Sequence, residues 1–173
     1  FVQRTLLPTV EMPLSELSGK IVLEIGSGSG AHSALFRKRG ASVVALDITA
    51  ERVAASGRKL ALVREGWGHA CQADGEHLPF KDASFDIVYS NGVLHHSTDT
   101  DLCIAEVHRV LKPGGRAVLM LYARHSAIYW LNIVPRALLS GEIFRWPEPE
   151  WVGRLTEGKP KFGSVRNPVT RVY

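Results

Sequence analysis

The sequence predicts an α/β fold with a doubly wound, mainly parallel sheet of five strands. Short apolar runs of β-favouring residues alternate along the chain with segments in which apolar residues recur at helical spacing. The first run, Ile21 to Ile25, ends in three glycines at alternate positions, Gly26, Gly28 and Gly30. Strands that alternate with helices form parallel sheets with right-handed crossovers.

The first predicted strand is apolar enough to be buried on both faces, as in a sheet covered by helices, and the second also reads as buried. The strands are predicted at 21–25, 42–47, 69–73, 85–90 and 116–122, and the helices at 31–39, 50–65 and 100–111. Gly40, the pair Gly66 and Gly68, and the run 113–115 (PGG) follow the three helices as stop signals.

The two ends of the chain are less regular. Residues 1–19 read as a leader with one brief helix near Ser15–Leu17. Ser126 is placed to cap an apolar helical segment that runs to Leu139 and that Pro135 should kink. From Gly141 onward, repeated Pro and Gly predict loops and short turns. We therefore predict a ligand-binding domain with its leader at 1–125, and an apolar helix and irregular tail at 126–173 in the same domain.

The composition is that of a globular domain of 173 residues, with 45% hydrophobic and 22% charged residues and a net charge of +4. No basic run is interleaved with aromatic residues, so nucleic acid is not indicated as a partner. No stretch approaches the ~20 apolar residues of a membrane span. Cys71 and Cys103 have no paired spacing, which predicts free thiols and a cytoplasmic protein.

The glycine turn after the first strand is typical of a nucleotide-binding element. It brings the backbone close to a ligand, and the helix that follows directs unpaired N–H groups at it. Three interpretations fit this turn alone. Gly26, Gly28 and Ala31 satisfy the looser dinucleotide fingerprint of NAD enzymes, another nucleotide is equally compatible, and a tight turn without a ligand is the third.

Two acidic residues follow the second and third strands, at the sheet edge where open α/β sheets bind ligands. Asp47 ends the second strand and is placed to accept hydrogen bonds from two ribose hydroxyls. Asp74, after the third strand, is placed to accept from the exocyclic amine of a purine. The alternatives are that Asp47 caps a helix and that Asp74 forms a turn with Gly75.

Five motifs now occur in order. They are Glu24-x-Gly26-x-Gly28-x-Gly30 with Asp47, then 74–80 (DGEHLPF), 84–90 (SFDIVYS), 93–96 (VLHH) and 111–115 (LKPGG). From about Gly19 to Tyr122 the chain resembles the class I S-adenosylmethionine-dependent methyltransferases, which have a Rossmann-like core. Its nearest likeness there is the small-molecule group that includes ubiquinone and menaquinone biosynthesis enzymes. A dehydrogenase explains the glycines and Asp47 but not Asp74 or the 111–115 motif.

The resemblance implies S-adenosylmethionine as cofactor and a set of residues that hold it. These are Glu24, Gly26, Ser27, Gly28 and Gly30 for the methionine part, Asp47 for the ribose, Ile48, Asp74 and Gly75 for the adenine, and Ser90 and Asn91 along the methionine side. It also implies that the loop around His95 faces the substrate.

His95 and His96 are the candidate catalytic bases, because imidazole titrates near neutrality. The alternative is that both are structural residues of their loop. Neither has a partner at metal-ligand spacing, so no metal is predicted. Residues 90–93 (SNGV) lack the Asn/Asp-Pro-Pro-aromatic signature of enzymes that methylate amino groups of bases, and no cysteine suits a covalent pyrimidine methylase. A small-molecule acceptor, methylated on oxygen or carbon, is expected.

An apolar lid is predicted over the acceptor, because the segment after the fifth strand begins at the ligand edge. Its residues are Ala127, Ile128, Tyr129, Trp130, Leu131, Ile133 and Val134. An apolar acceptor such as a quinone precursor or a lipid-linked compound follows from this prediction. Ordinary core packing is the alternative.

The last prediction concerns strands that are missing. Methyltransferases of this type complete the sheet with two more strands, and the ~50 residues after Tyr122 contain no convincing pair. We therefore expect a C-terminally truncated chain whose fifth strand is an apolar edge. Either residues 141–173 fold back over that edge or two chains cover each other in a dimer, and the dimer is the expected outcome. A truncated protein that binds the cofactor with little catalysis is the alternative function.

Overall fold

The structure, a computed structural model, describes residues 12–156 and 170–173, so most of the predicted leader lies outside the described residues. The chain divides into two compact units. The first contains the chain up to Asn91 together with Asp101–Met120. The second contains Gly92–Thr100 and the chain from Leu121 to its last residue. The predicted boundary at residue 125 stays a prediction.

The first unit is built on a five-stranded parallel sheet, which confirms the predicted fold class. Its elements are a 3₁₀ turn Leu14–Leu17, β1 (Ile21–Ile25), α1 (Ala31–Lys38), β2 (Ser42–Asp47), α2 (Ala50–Ala61), β3 (Gly68–Gln72), β4 (Phe85–Asn91), α3 (Thr100–Val110, whose first residue is assigned to the second unit) and β5 (Leu111–Met120). The strand order is β3-β2-β1-β4-β5. Because the chain reverses its direction across the sheet between β1 and β4, the ligand edge of a doubly wound sheet lies where these strands end.

The core of this unit lies where apolar strand residues meet the inner face of α1. Val22, Phe36, Val43 and Tyr89 are buried in one cluster, and the ring of Phe36 packs edge-on against Tyr89 at 5.1 Å between ring centroids. Leu17 of the 3₁₀ turn belongs to the same cluster, as the prediction of a brief helix there anticipated. Burial on both faces explains why β1 and β2 read as continuous apolar runs rather than alternating ones.

The second helix ends earlier than predicted, at Ala61 rather than near Glu65. Arg37 of α1 explains the early end. Its guanidinium donates hydrogen bonds to the carbonyl oxygens of Leu60, Glu65 and Gly66, at 2.8 Å to Glu65. Leu60 is in the last turn of α2, whereas Glu65 and Gly66 lie in the loop that follows it, so these bonds hold the chain as a loop after Ala61. The sequence gives no local sign of such a partner 23 to 29 residues away.

The fifth strand begins at Leu111, five residues before its predicted start, and ends at Met120 rather than Tyr122. Phe85 pairs with Leu111 and Ile87 pairs with Arg116, so the ladder is irregular between the two pairs. The Pro and Gly residues after Lys112 form this irregular part. Within the described sheet β5 lies at an edge and pairs only with β4.

The second unit is mostly helical. Its elements are a 3₁₀ turn Leu94–His96, a π-helical stretch Tyr129–Ile133, α4 (Val134–Ser140), a 3₁₀ turn Glu142–Phe144 and α5 (Glu148–Thr156). Ser126 accepts a hydrogen bond from the backbone N–H of Tyr129 at 3.2 Å, as expected of a cap. The π-helical stretch ends two residues before Pro135, whose missing N–H and bulky ring disturb a regular helix at this point.

The prediction that the tail lacks regular structure is wrong for residues 148–156, which form α5. Pro147 and Pro149 made this segment read as a loop. However, a proline in the first turn of a helix removes an N–H that has no intrahelical partner in any case. Trp151 and Val152 of α5 pack with Tyr129 and Ile133 in the core of this unit.

The last four described residues, Thr170–Tyr173, form a segment that we call the strap. Arg171 donates its backbone N–H to the carbonyl of His95 at 2.9 Å. Tyr173 donates to the carbonyl of Tyr122 at 2.9 Å and accepts from the N–H of Arg124 at 2.7 Å. We predicted either that residues 141–173 fold back over the fifth strand or that two chains form a dimer. The contact of Tyr173 with Tyr122, the last residue of the predicted strand 116–122, is part of the first outcome. The dimer stays a prediction.

Candidate cofactor-binding site

The glycine turn joins the end of β1 to the start of α1. Gly26, Gly28 and Gly30 all have positive φ, at 76°, 56° and 73°. Gly30 also allows a close approach of helices, because a Cβ there would lie 2.8 Å from the Cα of Ser56 on α2. The backbone N–H groups of Gly26 and Ser27 both donate to the carbonyl of Leu46, at 2.8 and 2.9 Å. The turn is thereby fixed to the end of β2.

Asp47 is buried at the end of β2 and fastens the glycine turn to the start of α2. Its Oδ2 accepts from the N–H of Gly28 at 2.9 Å. Its Oδ1 accepts from the backbone N–H and the hydroxyl of Thr49, both at 3.0 Å. A carboxylate has about four acceptor positions, and three of them are used here. The alternative prediction, that Asp47 caps the helix after β2, is therefore partly observed. The hydrogen bond from Gly28 to Asp47 was not predicted from the sequence.

Three predicted adenine residues lie near the ends of β2 and β3. Ile48 is exposed over 62% of its surface, an unusual state for a residue that directly follows a buried strand. Asp74 is exposed, and its Oδ1 accepts from the N–H of Glu76 at 3.0 Å, so the turn-forming alternative is observed. Gly75 lies half-buried within this turn. Their contacts to a purine stay a prediction.

Arg109 of α3 holds the loop that carries Asp74. Its guanidinium donates to the carbonyl oxygens of Leu78 and Phe80 at 3.0 and 2.8 Å, and to the carboxylates of Glu106 and Asp82 at 2.7 Å. The Arg109 hydrogen bond is the main reason that the pKa of Glu106 falls to about 2. The loop is thus tied to a helix by a pair that stays ionised at any ordinary pH.

Ser90 and Asn91 end β4 beside β1. The buried hydroxyl of Ser90 donates to the carbonyl of Ile25 at 3.0 Å, which ties the two strands together. The side-chain amide of Asn91 donates to the hydroxyl of Tyr89 at 3.2 Å. Both side chains therefore have structural partners at the predicted methionine side of the cofactor.

Glu24 is buried in β1 directly before the glycine turn. Its Oε2 accepts from the hydroxyl of Ser33, and its Oε1 lies 3.3 Å from Nδ1 of His32. Both partners are in the first turn of α1. Sequence reasoning missed them, although a histidine and a serine immediately after a glycine turn are a signal that could have found them.

The two candidate bases lie in the second unit. His95 is fully buried, and its ring stacks on Tyr122 at 4.0 Å between centroids. Neither ring nitrogen of His95 has a hydrogen-bond partner among the described residues. Burial, with a smaller contribution from His96, lowers the pKa of His95 to about 4, so this imidazole is neutral at pH 7. His96 is only partly buried, and its Nδ1 lies 3.1 Å from the hydroxyl of Thr170.

The predicted site residues thus fall into two groups. Those predicted for the cofactor lie in the first unit, and the two histidines lie in the second. Among the described residues, no three His, Cys, Asp or Glu side chains are grouped closely enough to hold a metal ion. No helix in the described ranges is both long and apolar enough to cross a membrane.

A cavity of about 290 Å³ lies away from these residues, near the start of β4. It is lined by ion pairs that are already made, such as that between Lys112 and Asp86 at 2.9 Å. Asp86 also accepts from the N–H of Ile21 at 2.8 Å. Because its charged groups are paired with each other, this cavity is a poor candidate for a ligand site.

Comparison with known proteins supports the methyltransferase resemblance and gives no support to an oxidoreductase. The chain is 38% identical over 109 residues to demethylmenaquinone methyltransferase of Thermobifida fusca, an alignment that covers 59% of this chain and 43% of the relative. It is 36% identical over 130 residues to the ubiquinone/menaquinone biosynthesis C-methyltransferase UbiE of Haemophilus ducreyi, covering 68% and 50%. The chain spans about half the length of these relatives.

A solved structure confirms the architecture. The YcgJ protein of Bacillus subtilis matches with a TM-score of 0.63 and 28% identity, over 78% of this chain and 58% of that one. The family match covers residues 23–119, which is more than half of the chain and contains the glycine turn, Asp47, Asp74 and Asn91. With this match over the sheet and its ligand edge, the chain belongs to the methyltransferase domain family.

Proposed function

We propose that the chain binds S-adenosylmethionine at the ends of β1, β2, β3 and β4 and transfers a methyl group to a small-molecule acceptor. One observation carries the proposal. The buried carboxylate of Asp47 is fastened to Gly28, so an anionic acceptor is held against a turn that lets a ligand approach its backbone. Family membership supports the same cofactor.

The described residues fit this cofactor. Gly28 keeps clear a space that a side chain would fill, because a Cβ there would lie 3.3 Å from the Arg52 guanidinium. Ile48 offers an exposed apolar surface on which an adenine ring can pack. Glu24 offers a buried carboxylate for the ammonium group of the methionine part.

When bound, the cofactor supplies a methyl group that is already electrophilic because it is carried on a sulfonium. The main task of the protein is then to hold the reacting groups in line, which can contribute roughly 7–11 kcal/mol. A general base adds about 10²–10⁴-fold where the acceptor must lose a proton. We assign this role to His96, which is partly exposed and hydrogen bonded to Thr170, rather than to the fully buried His95.

The acceptor that we propose is apolar or amphipathic, such as a quinone precursor or a lipid-linked compound, methylated on oxygen or carbon. Ile128 and Trp130 of the predicted lid are exposed and offer it an apolar surface. Tyr129 and Ile133 are instead buried in the core of the second unit, so core packing accounts for that part of the predicted lid.

We further propose a cytoplasmic location, supported by the free thiols of Cys71 and Cys103, and no nucleic-acid partner.

A second candidate is a protein that binds the cofactor with little catalysis. The burial of His95 favours it, because a fully buried imidazole cannot reach an acceptor in this conformation.

The test is calorimetry on the purified chain with S-adenosylmethionine and NAD, followed by methyl transfer to a matched pair of apolar and polar phenols. We expect binding of S-adenosylmethionine only, because Asp47, Ile48 and Glu24 together match its ribose, adenine and ammonium groups. We also expect transfer mainly to the apolar phenol. Binding of NAD alone would refute the cofactor, and transfer only to the polar phenol would refute the acceptor class. Binding without transfer would establish the second candidate.

We also propose that two chains associate as a homodimer through the helical segment of the second unit. Leu131 and Leu139 are exposed over 79% and 89% of their surfaces, and Leu138 beside them is also exposed. Apolar side chains that cluster on one helical surface favour burial between subunits.

Light scattering at micromolar concentration is expected to show a dimer, and the double variant Leu131→Glu with Leu139→Glu is expected to be monomeric. Leu62→Glu is the matched control, since Leu62 is exposed over 83% of its surface but follows α2 in the first unit. A monomeric parent, or dissociation by Leu62→Glu to the same extent, would contradict the proposed interface.

A further inference from the structure

The carboxylate of Glu24 occupies a position where the fold calls for an apolar side chain. The other residues at the centre of β1, Val22, Leu23 and Ile25, are apolar and buried, as a strand covered on both faces requires. An ionised carboxylate in such a place is unfavourable unless it is paired and hydrogen bonded. A carboxylate at this position, two residues before Gly26, indicates a use for its charge.

His32 is the titratable partner of this carboxylate. Its Nδ1 lies 3.3 Å from Oε1 of Glu24, while Ser33 donates its hydroxyl to Oε2. Each carboxylate oxygen therefore keeps one neighbour from the first turn of α1 and has further acceptor capacity. When an imidazole nitrogen faces a carboxylate, that nitrogen carries the proton, which fixes the tautomer of the ring.

Two aromatic rings hold the His32 imidazole in place. The ring of Tyr89 meets it edge-on at 5.4 Å between centroids, and Phe36 stacks on it at 6.3 Å. Tyr89 is fully buried, and its hydroxyl accepts from the side-chain amide of Asn91 at 3.2 Å. Contacts through His32 and Tyr89 thus connect Glu24 with Asn91. Both residues were predicted, from separate motifs, to lie along the methionine part of the cofactor.

We propose that His32 is a positioning residue that orients the Glu24 carboxylate to receive the ammonium group of the cofactor's methionine part. The inference rests on the proposed function and adds a residue to it. His32 donates to one oxygen of Glu24 and so holds the rotamer in which the remaining lone pairs face the ligand. The adenosine part of the cofactor, held at the ends of β2 and β3, does not depend on this pair.

The test compares two ligands that differ in the methionine part. S-adenosylmethionine carries the ammonium group, whereas 5′-methylthioadenosine has the same adenosine but lacks the amino-acid tail. By calorimetry, His32→Leu is expected to weaken binding of S-adenosylmethionine by about tenfold or more, because a hydrogen bond to a charged group is lost. Binding of 5′-methylthioadenosine is expected to change by less than about twofold, within the usual effect of a distant substitution.

Rescue by a conservative variant separates positioning from folding. In His32→Asn the side-chain amide donates from nearly the same place as Nδ1, so we expect most of the affinity for S-adenosylmethionine to be kept. Glu24→Gln keeps the shape but removes the charge, and it should lose affinity for the ligand with the ammonium group only. His108→Leu, at an exposed histidine of α3, is the matched control and should bind both ligands like the parent.

The outcomes are distinguishable. If His32→Leu weakens both ligands equally, or neither, the positioning role is wrong while the proposed function stands. If His32→Asn behaves like His32→Leu, the hydrogen bond to Glu24 is not the cause and the proposal fails. If the parent chain binds neither ligand, the proposed function itself fails and this inference with it.

Discussion

Replacing Asp47 with Ala is expected to weaken binding of S-adenosylmethionine by two orders of magnitude or more. The substitution removes the charged acceptor that faces the ribose, which keeps about one free position beside its contacts to Gly28 and Thr49. A hydrogen bond to such a charged group contributes about 1.5–3 kcal/mol. It also releases the N–H of Gly28 and both groups of Thr49 that the carboxylate holds. The ligand contact and the support of the turn are thus lost together, which makes this the largest effect on binding that we predict.

A ligand comparison isolates the ribose contact from the support of the turn. In the parent chain, 5′-methylthioadenosine should bind more tightly than its 2′-deoxy analogue. In Asp47→Ala the two should bind equally, because the acceptor is gone. Asp101→Ala, at an acid in the first turn of α3, serves as control. A preference for the hydroxylated ligand that survives in Asp47→Ala would show that another residue holds the ribose. Thermal melting of each variant establishes that it is folded.

Acid is expected to destabilise the protein through His95. The pKa of this imidazole is lowered from 6.5 to about 4, first by burial and then by His96. Below pH 6.5 the unfolded chain takes up a proton at His95, whereas the folded chain does so only near pH 4. The unfolded state therefore binds more protons within this window, and stability falls as the pH falls through it. At 1.36 kcal/mol per pKa unit, the loss of stability between pH 6.5 and pH 4 is at most roughly 3.4 kcal/mol.

Urea unfolding at pH 7, 6, 5 and 4 measures this effect. His95→Phe keeps a ring that can stack on Tyr122 but cannot take up a proton, so its stability should depend less on pH between 6.5 and 4. At pH 7 the variant should be as stable as the parent or more so, because buried nitrogens without partners among the described residues are removed. His69→Phe, at an exposed histidine, is the control. An unchanged pH dependence in His95→Phe would exclude His95 as the cause.

Much of the fold was predictable because its signals are local. Ile21–Ile25 and Ser42–Asp47 are apolar runs that a buried parallel strand requires, and their observed bounds match the prediction. The turn at Gly26–Gly30 was predictable because few other sequences allow three positive φ angles at alternate positions. The rule that open α/β sheets bind ligands beyond the carboxyl ends of their strands predicted the sheet edge, and the family resemblance added the cofactor.

The remaining features depend on partners distant in sequence. Asp47 accepts from Gly28, 19 residues earlier, and Arg37 closes the end of α2 from 23 residues away. Neither contact leaves a pattern in the local sequence. The helix Glu148–Thr156 was missed for another reason, because Pro149 is a breaker inside a helix but harmless in its first turn. The burial of His95 also depends on Tyr122, which no local rule connects with it.

The four hydrogen-bonding partners of Arg109 have a consequence for how the ligand is received. Three of them, Leu78, Phe80 and Asp82, lie on the loop after Asp74, so the hydrogen bonds hold that loop as part of the fold and its conformational entropy is lost during folding and not during binding. The loop is thus preorganised, and preorganisation raises affinity mainly by lowering the entropic cost of association. Affinity for the adenine would then be set in part by a guanidinium on α3 that need not touch the ligand.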